Sequence, residues 1–341
     1  MPERPLSELK ARVGDSRRTV DGLRVEAGKV AEFATALRDE NPIHHDEAAA
    51  ADRGFDALPA PLTFTRTAYF PRYRPDGVDE MLGFDLGFRQ AYTVHGEQAY
   101  EYERPLVVGD VLTGETTLVD VFQRDGRRGG TMTFAVRETA FRDRDDDLVV
   151  TARSTAIETG GVIDDGDDAS DEPDRSDDAG GDDPPAANGA GFEATTERPP
   201  RPTATAATVS VGDTAPPLVV EGLERKDFVK YAGASGDFTP IHYDEPYVRE
   251  AGHDAVFAQG MLTAGYAARA VADWFGLATV TRFRTRFQSQ LFPGESVVVT
   301  GEVDDVTRTG PGATVVASFE ATTRTGDVLL TGEAEADLPA E

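Results

Sequence analysis

Residues 256–276 read VFAQGMLTAGYAARAVADWFG, and this stretch decides the fold of the second half of the chain. It is long, apolar and rich in alanine and glycine, with Met261, Gly265, Ala268 and Ala272 on one helical stripe. A helix that is apolar on most of its faces lies buried inside a protein. The stretch therefore predicts a central helix that the rest of this half surrounds.

The segments that follow this helix have the pattern of strands. Apolar and polar residues alternate over 281–290, 296–306, 313–322 and 328–336, with Pro-Gly, Gly-Pro-Gly and Thr-Gly-Asp turn signals between them. This pattern predicts an antiparallel sheet. A helix of small residues followed by strands that wrap it is the order of elements in a hot-dog domain.

The chain also contains an internal repeat. Residues 30–60 align with residues 228–258 at an offset of 198. A second block, 101–115, matches 286–302 at an offset of 185. The aligned pairs include Asp39 with Asp237, Pro42 with Pro240, His44 with His242 and Gly109 with Gly294. One duplicated domain, with a longer insertion in the first copy, explains both offsets.

The repeat predicts an α+β double hot dog, in which two antiparallel sheets each wrap a central helix and pack together. Between the copies, acidic residues crowd among Gly, Ala and Pro, a composition that cannot bury enough apolar surface to order itself. We therefore expect an N-terminal hot-dog domain over 1–160, a flexible acidic linker over 161–205 and a C-terminal domain over 206–341. The C-terminal domain would contain the active site.

Composition limits the partners of the protein. Acidic residues number 62 against 34 basic ones, for a net charge of -28, and only four of the basic residues are lysines. This bias resembles adaptation to a salt-rich cytoplasm and predicts a halophilic source. Nucleic acid is disfavoured, because no basic cluster stands clear of acidic neighbours. Arg282, Arg284 and Arg286 alternate along one segment, which indicates either a solvent-facing strand or contact with a coenzyme A phosphate.

Other classes of site are disfavoured too. The chain has no cysteine, and its five histidines lack zinc-ligand spacing, so we expect no metal and no separate cofactor. No apolar run approaches the length that spans a bilayer, so we expect a cytoplasmic protein without membrane contact.

The segment SGDFTPIH places Asp237 five residues before His242, with Pro240 between them. The proline prevents the preceding helix from continuing, so both side chains lie on a bent connection and can converge. Hydration of an α,β-unsaturated thioester requires an activated water, a proton at C2 and stabilisation of the enolate oxygen. A carboxylate and an imidazole supply the first two requirements.

The third requirement is met by backbone N–H groups at the start of the buried helix. Gly260 opens a close approach there, and the positive end of a helix favours developing negative charge. Gln259 and Met261 flank this position. The sequence thus predicts an oxyanion and substrate region at Gly260, Gln259 and Thr239.

The segment YAGASGDFTPIHYDEPYVREAG (231–252), followed by AQGML, resembles the signature of the MaoC-like dehydratases and (R)-specific enoyl-CoA hydratases (hydratase 2). PAPLTF (59–64) and HGEQAYEYERPLVVGD (95–110) resemble the FAS1-like dehydratase domain that precedes it in such proteins. Thr239 and Gln259 depart from the pattern, where asparagine and histidine are usual. The resemblance implies a double hot dog whose N-terminal half is non-catalytic.

The resemblance also implies the reaction, which is the interconversion of a trans-2-enoyl thioester and its (R)-3-hydroxyacyl form. The acyl carrier would be coenzyme A or acyl carrier protein, as part of the substrate. Asp237 and His242 inherit the catalytic roles. Because a duplicated hot dog pairs its own halves, either a monomer or a homodimer is compatible with this fold.

Asp39 and His44 form a second, incomplete copy of the dyad. Arg38 replaces Gly236, while Pro61 and Leu62 replace Gln259 and Gly260. Losing the glycine that opens the helix damages an oxyanion hole more than it damages folding. We therefore interpret this pair as a vestigial site. Structural roles are favoured for three other residues, His95, Tyr231 and Trp274.

Two other functions use the same fold. Hot-dog domains also include acyl-CoA thioesterases, in which a carboxylate drives hydrolysis. A non-catalytic acyl-CoA-binding module would be expected if the dyad had decayed, and the intact GDFTPIH argues against it.

Overall fold

The structure is a computed structural model and describes residues 2–78, 83–89, 92–126, 130–159 and 204–340. The first half contains α1 (Leu6–Ala11), β1 (Ser16–Arg24), α2 (Ala27–Ala36), α3 (Glu47–Ala51), β2 (Thr93–Tyr102), β3 (Val111–Asp125), β4 (Thr131–Arg142) and β5 (Leu148–Glu158). The second half contains β6 (Leu218–Val220), α4 (Arg225–Ser235), α5 (Glu245–Glu250), α6 (Gly260–Phe275), β7 (Val280–Phe287), β8 (Val297–Thr309), β9 (Gly312–Thr323) and β10 (Val328–Leu338).

The internal repeat is present in the order of these elements. In each half a helix, α2 or α4, leads through a short 3₁₀ turn to a second short helix, α3 or α5. Four antiparallel strands follow in each half. The 3₁₀ turns, Pro42–His44 and Pro240–His242, begin at the paired prolines and end at the paired histidines. The double hot-dog fold predicted from the sequence is confirmed, with two differences in its arrangement.

The first difference concerns the sheets. The sequence predicted two sheets packed together, whereas the described strands form one continuous ten-stranded sheet in the order β1-β3-β4-β5-β2-β7-β10-β9-β8-β6. The halves join where β2 pairs antiparallel with β7, with Tyr100 opposite Phe283. Each half would otherwise expose an edge strand with unpaired backbone groups, and pairing the two edges removes both.

The second half follows the sequence prediction closely. Helix α6 packs on the inner face of β7, β8, β9 and β10, and twelve of its residues are buried. Its small residues allow this close approach: a Cβ on Gly265 would lie 2.3 Å from a methyl carbon of Leu37 in the other half. The helix therefore belongs to a core shared by both halves.

The second difference concerns the first half, for which the sequence predicted a central helix of its own. At the position of α6, the described residues contain only two short 3₁₀ helices, Phe64–Tyr69 and Pro71–Tyr73. Pro61, Pro71 and Pro75 bracket this stretch, and three threonines lie between the first two prolines. Proline removes helical hydrogen bonds and threonine is a poor helix former, so a long α-helix is disfavoured here.

An ion pair joins the two halves near the paired loops. Arg38 has a left-handed backbone (φ 50°) where the second half has Gly236 (φ 84°). The Arg38 guanidinium donates to the Glu221 carbonyl at 2.7 Å and to the carboxylate of buried Asp227 at 2.8 Å. This contact compensates a conformation that is unfavourable for a residue with a Cβ.

Replacing Arg38 with methionine is expected to lower the free energy of unfolding by about 1–2 kcal/mol, because Asp227 keeps its burial but loses a charged hydrogen bond. The methionine has to adopt the same strained backbone, so the change in the free energy of unfolding reports the loss of the guanidinium contacts. Urea unfolding at constant salt measures it. Lys226→Met is the control, since Lys226 and its partner Glu224 are both 61% exposed and their pair contributes little. Equal effects in the two variants would contradict the assigned role.

The predicted linker, 161–205, lies outside the described residues except for its last two positions. In the part of the chain that is described, none of the helices is both long enough and apolar enough to cross a membrane.

Candidate active site

The loop that carries Asp237 and His242 is shaped by a glycine and a proline. Helix α4 ends at Ser235, and Gly236 adopts a left-handed backbone (φ 84°) that turns the chain away. A Cβ on Gly236 would lie 2.8 Å from the Phe70 backbone nitrogen, so a side chain would also push the first half away. Pro240 then opens a 3₁₀ turn that ends at His242. Both dyad side chains are thus held on a short bend against the first half.

His242 is buried and held in one tautomer. Its Nδ1–H donates to the Phe257 carbonyl at 2.9 Å, which leaves Nε2 as the nitrogen with a free lone pair. Burial lowers the pKa of His242 below its usual value of 6.5, even though Asp237 acts in the opposite direction. The ring is therefore neutral at neutral pH. Because Phe257 lies three residues before α6, this bond also ties the histidine to the start of the buried helix.

Asp237 lies near His242, with its side chain 12% exposed, and is ionised. Burial alone would raise the pKa of this carboxyl, but the Arg66 charge, His242 and hydrogen bonds from Thr239 outweigh burial and lower it. The Thr239 hydroxyl donates to Oδ1 at 2.8 Å. Arg66 Nη2 lies 3.4 Å from Oδ2. Thr239, predicted as part of the oxyanion and substrate region, contacts Asp237 and holds it in orientation.

The start of α6 supplies free backbone donors. Gly260 is the first residue of the helix, so its amide and that of Met261 have no carbonyl partner within the helix. A Cβ on Gly260 would lie 3.2 Å from the Phe287 ring, which is tighter than ordinary contact. Gln259 is 1% exposed, and its Nε2 donates to the Phe228 carbonyl at 3.1 Å. Gln259 therefore anchors the helix start to α4.

Arg66, which sequence reasoning missed, comes from the first half of the chain. It lies on the 3₁₀ helix Phe64–Tyr69 and is buried, 171 residues from Asp237 in sequence. Its guanidinium stacks over the Tyr69 ring at 3.6 Å. Burial by itself lowers the pKa of Arg66, yet Tyr69 and Asp237 outweigh it and the net shift is upward. An arginine between threonines carries no sequence signal for such a role.

His95 also lies close to this site, although the sequence favoured a structural hydrogen bond for it. Its ring packs 4.9 Å from that of Phe287, the residue that covers Gly260. Its Nε2 is shielded from solvent and has no hydrogen-bond partner among the described residues. Burial, Arg66 and Arg137 lower the pKa of His95 to about 3, so the ring is neutral under ordinary conditions. Both halves of the chain thus contribute to the surroundings of Asp237.

In the Asp–His pair of the first half, the two side chains contact each other and are shielded from solvent. His44 Nε2 lies 3.4 Å from Asp39 Oδ2, and His44 Nδ1 donates to the Pro59 carbonyl at 2.8 Å, as His242 does to Phe257. Both side chains are at most 4% exposed. At the position of Gly260 the first half has Leu62, and the described residues that follow form only the short 3₁₀ helix Phe64–Tyr69 in place of α6. The pair is thus in direct contact, no helix start like that of α6 stands beside it, and its vestigial character stays a prediction.

The remaining expectations concern arginines and aromatic residues. Arg282 and Arg284 lie beside Glu101 and Glu97 across the β2–β7 pairing, which supports the interpretation of a strand face. Trp274 and Tyr231 are buried in the core as expected. Within the described ranges, no group of three or more His, Asp or Glu side chains has the arrangement of a metal site.

Comparison with known proteins identifies the family. A model of the FAS1-like dehydratase domain region matches residues 11–152, and a model of the MaoC-like domain matches residues 192–325. The chain belongs to the MaoC-like dehydratase family. A solved structure described as a MaoC-like dehydratase is 26% identical, with a TM-score of 0.73, and the match covers 97% of this chain and all of that one.

Other similar proteins have lower sequence identity or match over a shorter stretch of this chain. A putative MaoC domain protein dehydratase from Chloroflexus aurantiacus, 12% identical with a TM-score of 0.67 over 97% of this chain and 96% of its own, shares the fold. So does a double hot-dog protein from Mycobacterium tuberculosis, 17% identical with a TM-score of 0.63 and 98% of both chains covered. A UPF0336 protein from Thermobifida fusca is 34% identical over 112 residues, which are 33% of this chain and 71% of that protein.

Proposed function

We propose that this MaoC-like protein is a hydro-lyase that interconverts a trans-2-enoyl thioester and the (R)-3-hydroxyacyl thioester. The acyl group would be carried by coenzyme A or acyl carrier protein, with no separate cofactor. Family membership supports a hydratase or dehydratase role. One observation carries the finer proposal: an ionised, largely shielded Asp237 and a buried, neutral His242 with a free Nε2 lie near each other at the start of α6.

In the hydration direction, a water molecule binds between the two side chains. Asp237, held by Thr239 and Arg66, orients this water towards C3 of the enoyl group. As the water oxygen bonds to C3, His242 Nε2 takes one of its protons and then delivers it to C2. The ionised Asp237 stabilises the imidazolium that forms in between. Dehydration follows the same steps in reverse, and the proton count is unchanged.

The thioester oxygen gains negative charge when C3 is attacked. The amides of Gly260 and Met261 at the start of α6 are free to donate to it, and the positive end of the helix dipole adds to their effect. The same arrangement would stabilise the oxyanion of thioester hydrolysis, so the reaction must be tested against that alternative. Since Arg66 and Asp237 come from different halves, a single chain contains these parts of the proposed site.

The test uses the purified full-length chain in concentrated potassium chloride with several trans-2-enoyl-CoA substrates, differing in the length and polarity of the acyl end. We expect the enoyl-thioester absorbance to fall without release of free thiol, which a thiol reagent measures in parallel. The product should be oxidised by an (R)-specific but not by an (S)-specific 3-hydroxyacyl-CoA dehydrogenase. Release of thiol with an unchanged enoyl group would instead indicate a thioesterase. Binding without turnover of any substrate would indicate a non-catalytic module.

The pH profile depends on Arg66. Catalysis needs His242 neutral and Asp237 ionised, and both pKa values are lowered, so activity should persist below the usual histidine pKa of 6.5. The Arg66 charge lowers both pKa values. Arg66→Gln should therefore raise them and move the acid limb of kcat/KM to higher pH, as steady-state rates across pH would show. Arg153→Gln, an exposed control, should leave the limb in place. An acid limb that stays or moves down in Arg66→Gln would contradict this account.

A further inference from the structure

A cavity occupies the place of the missing helix in the first half. It measures about 40 Å³ and lies between the sheet and the 3₁₀ helix Phe64–Tyr69. Its walls combine apolar surface with several polar side chains, which include Thr65, Arg66, Gln98, Thr139 and Ser154. Apolar acyl chains are bound by apolar walls, so this lining is unusual for a site that would accept only a hydrocarbon chain.

The polar lining is specific to the first half of the sheet. Ser154 on β5 pairs with Gln98 on β2 and with Arg137 on β4. At the equivalent positions of the second half, Ala334 on β10 pairs with Phe283 on β7 and with Ala317 on β9. These three residues are at most 1% exposed. Neighbouring residues across a sheet project from the same face. The three paired side chains on these neighbouring strands are therefore apolar in the second half and polar in the first.

Arg137, one of these three paired residues, brings positive charge into the interior together with Arg66. Arg66 and Arg137 interact electrostatically, and the Nε of each is shielded from solvent without a hydrogen-bond partner among the described residues. Asp237 is the carboxylate that acts on Arg66, while the groups acting on Arg137 are Tyr69 and Arg66 itself. His95 nearby is neutral. Asp237 thus balances the charge of Arg66, while none of the described carboxylates acts on Arg137, and an unpaired buried charge is costly.

The cavity adjoins the proposed reaction centre, because Arg66 lines it and also contacts Asp237 at 3.4 Å. A cavity of this kind needs about 10–15 Å³ for one water molecule, so 40 Å³ holds about three. That is the size of a group with three heavy atoms. A carboxylate has this size, carries the missing charge and accepts hydrogen bonds from arginine, glutamine and hydroxyl groups.

Given the proposed hydro-lyase function, we propose that the substrate is the thioester of a short unsaturated dicarboxylic acid. Its free carboxylate lies in the cavity of the first half, where the lining residues Arg66, Gln98, Ser154 and Thr139 bind it. Arg137, the sheet neighbour of Ser154, adds a second positive charge. Hydration then adds water across the double bond between the thioester and this carboxylate. The loss of the central helix in the first half made room for the polar end of the acyl group.

The experiment compares crotonyl-CoA with fumaryl-CoA, in which a carboxylate replaces the terminal methyl group. We expect kcat/KM for hydration to be about tenfold or more higher with fumaryl-CoA, because a site built for a charged group rejects the analogue that lacks it. Arg137→Met and Arg137→Gln should both reduce the ratio of the two kcat/KM values. Arg153→Met, an exposed arginine on the outer face of β5, should leave that ratio at the wild-type value.

The outcomes separate this proposal from the proposed function. If both substrates are hydrated and crotonyl-CoA is as good or better, or if the Arg137 variants keep the wild-type ratio, the dicarboxylate proposal is wrong. If neither substrate is hydrated, the hydro-lyase assignment fails first, and calorimetric titration with unreactive succinyl-CoA and butyryl-CoA then tests the cavity alone. Tighter binding of succinyl-CoA would support the carboxylate site, and equal binding would overturn it.

Discussion

Asp237→Asn is expected to lower kcat for hydration by about 10²- to 10⁴-fold, the range for loss of a group that assists proton transfer. Asparagine keeps the shape of the side chain, and Thr239 can still donate to its oxygen. It lacks the negative charge that stabilises protonated His242 and that pairs with Arg66. Initial rates at saturating substrate measure the loss, and a thermal unfolding curve checks that the variant is folded.

The first half of the chain provides the matched control, Asp39→Asn. Asp39 occupies the position of Asp237 in the repeat and lies 3.4 Å from His44, but Leu62 stands where the second half has Gly260, and no helix like α6 begins there. This variant should retain most of the wild-type kcat. A loss in Asp39→Asn comparable to that in Asp237→Asn would mean that the first-half pair is catalytic, and the vestigial interpretation would then be wrong.

Gly332→Ala is expected to have the largest effect on stability, lowering the free energy of unfolding by about 3 kcal/mol or more. Gly332 lies on β10 between β7 and β9. A Cβ there would lie 2.2 Å from the Phe319 ring and 2.3 Å from the Arg284 carbonyl oxygen. The ring could turn aside, but the carbonyl belongs to the backbone of β7, so the strands themselves must separate. Chemical unfolding of the purified variant would show the change.

Gly233→Ala makes the same chemical change on helix α4 and serves as the control. A Cβ on Gly233 would have no heavy atom within 4 Å, and its backbone is helical. Because alanine is the better helix former by about 1 kcal/mol, this variant should be slightly more stable than the wild type. If Gly332→Ala were tolerated as well as Gly233→Ala, the packing between β10 and β7 would be looser than the structure indicates.

The dyad could be found from the sequence because its signal is local. Asp237, Pro240 and His242 lie within six consecutive residues, and the proline begins the 3₁₀ turn that ends at His242. The buried helix after it is equally readable, since its small and apolar residues recur with helical spacing. The repeat then placed Asp39 and His44 at the corresponding position of the first half, where the structure has them.

Arg66 and Arg137 could not be found in this way. Each reaches the interior only because the sheet and the 3₁₀ helix Phe64–Tyr69 bring distant segments together. On its strand, Arg137 stands between Val136 and Glu138, a context that does not distinguish it from an ordinary exposed residue. His95 was interpreted as structural for the same reason, since no local pattern shows that its ring lies beside Phe287.

The sequence by itself determined that this chain is a duplicated hot dog with an Asp and a His on a proline-bent loop before a buried helix. Those features follow from spacing, turn residues and apolar periodicity, which act over a few residues. Only the tertiary structure decided that the sheets are continuous, that 3₁₀ helices replace a central helix in the described part of the first half, and that buried Arg66 lies beside Asp237. These outcomes depend on strand register and on packing between segments that are far apart in the sequence, and no local pattern records either of them.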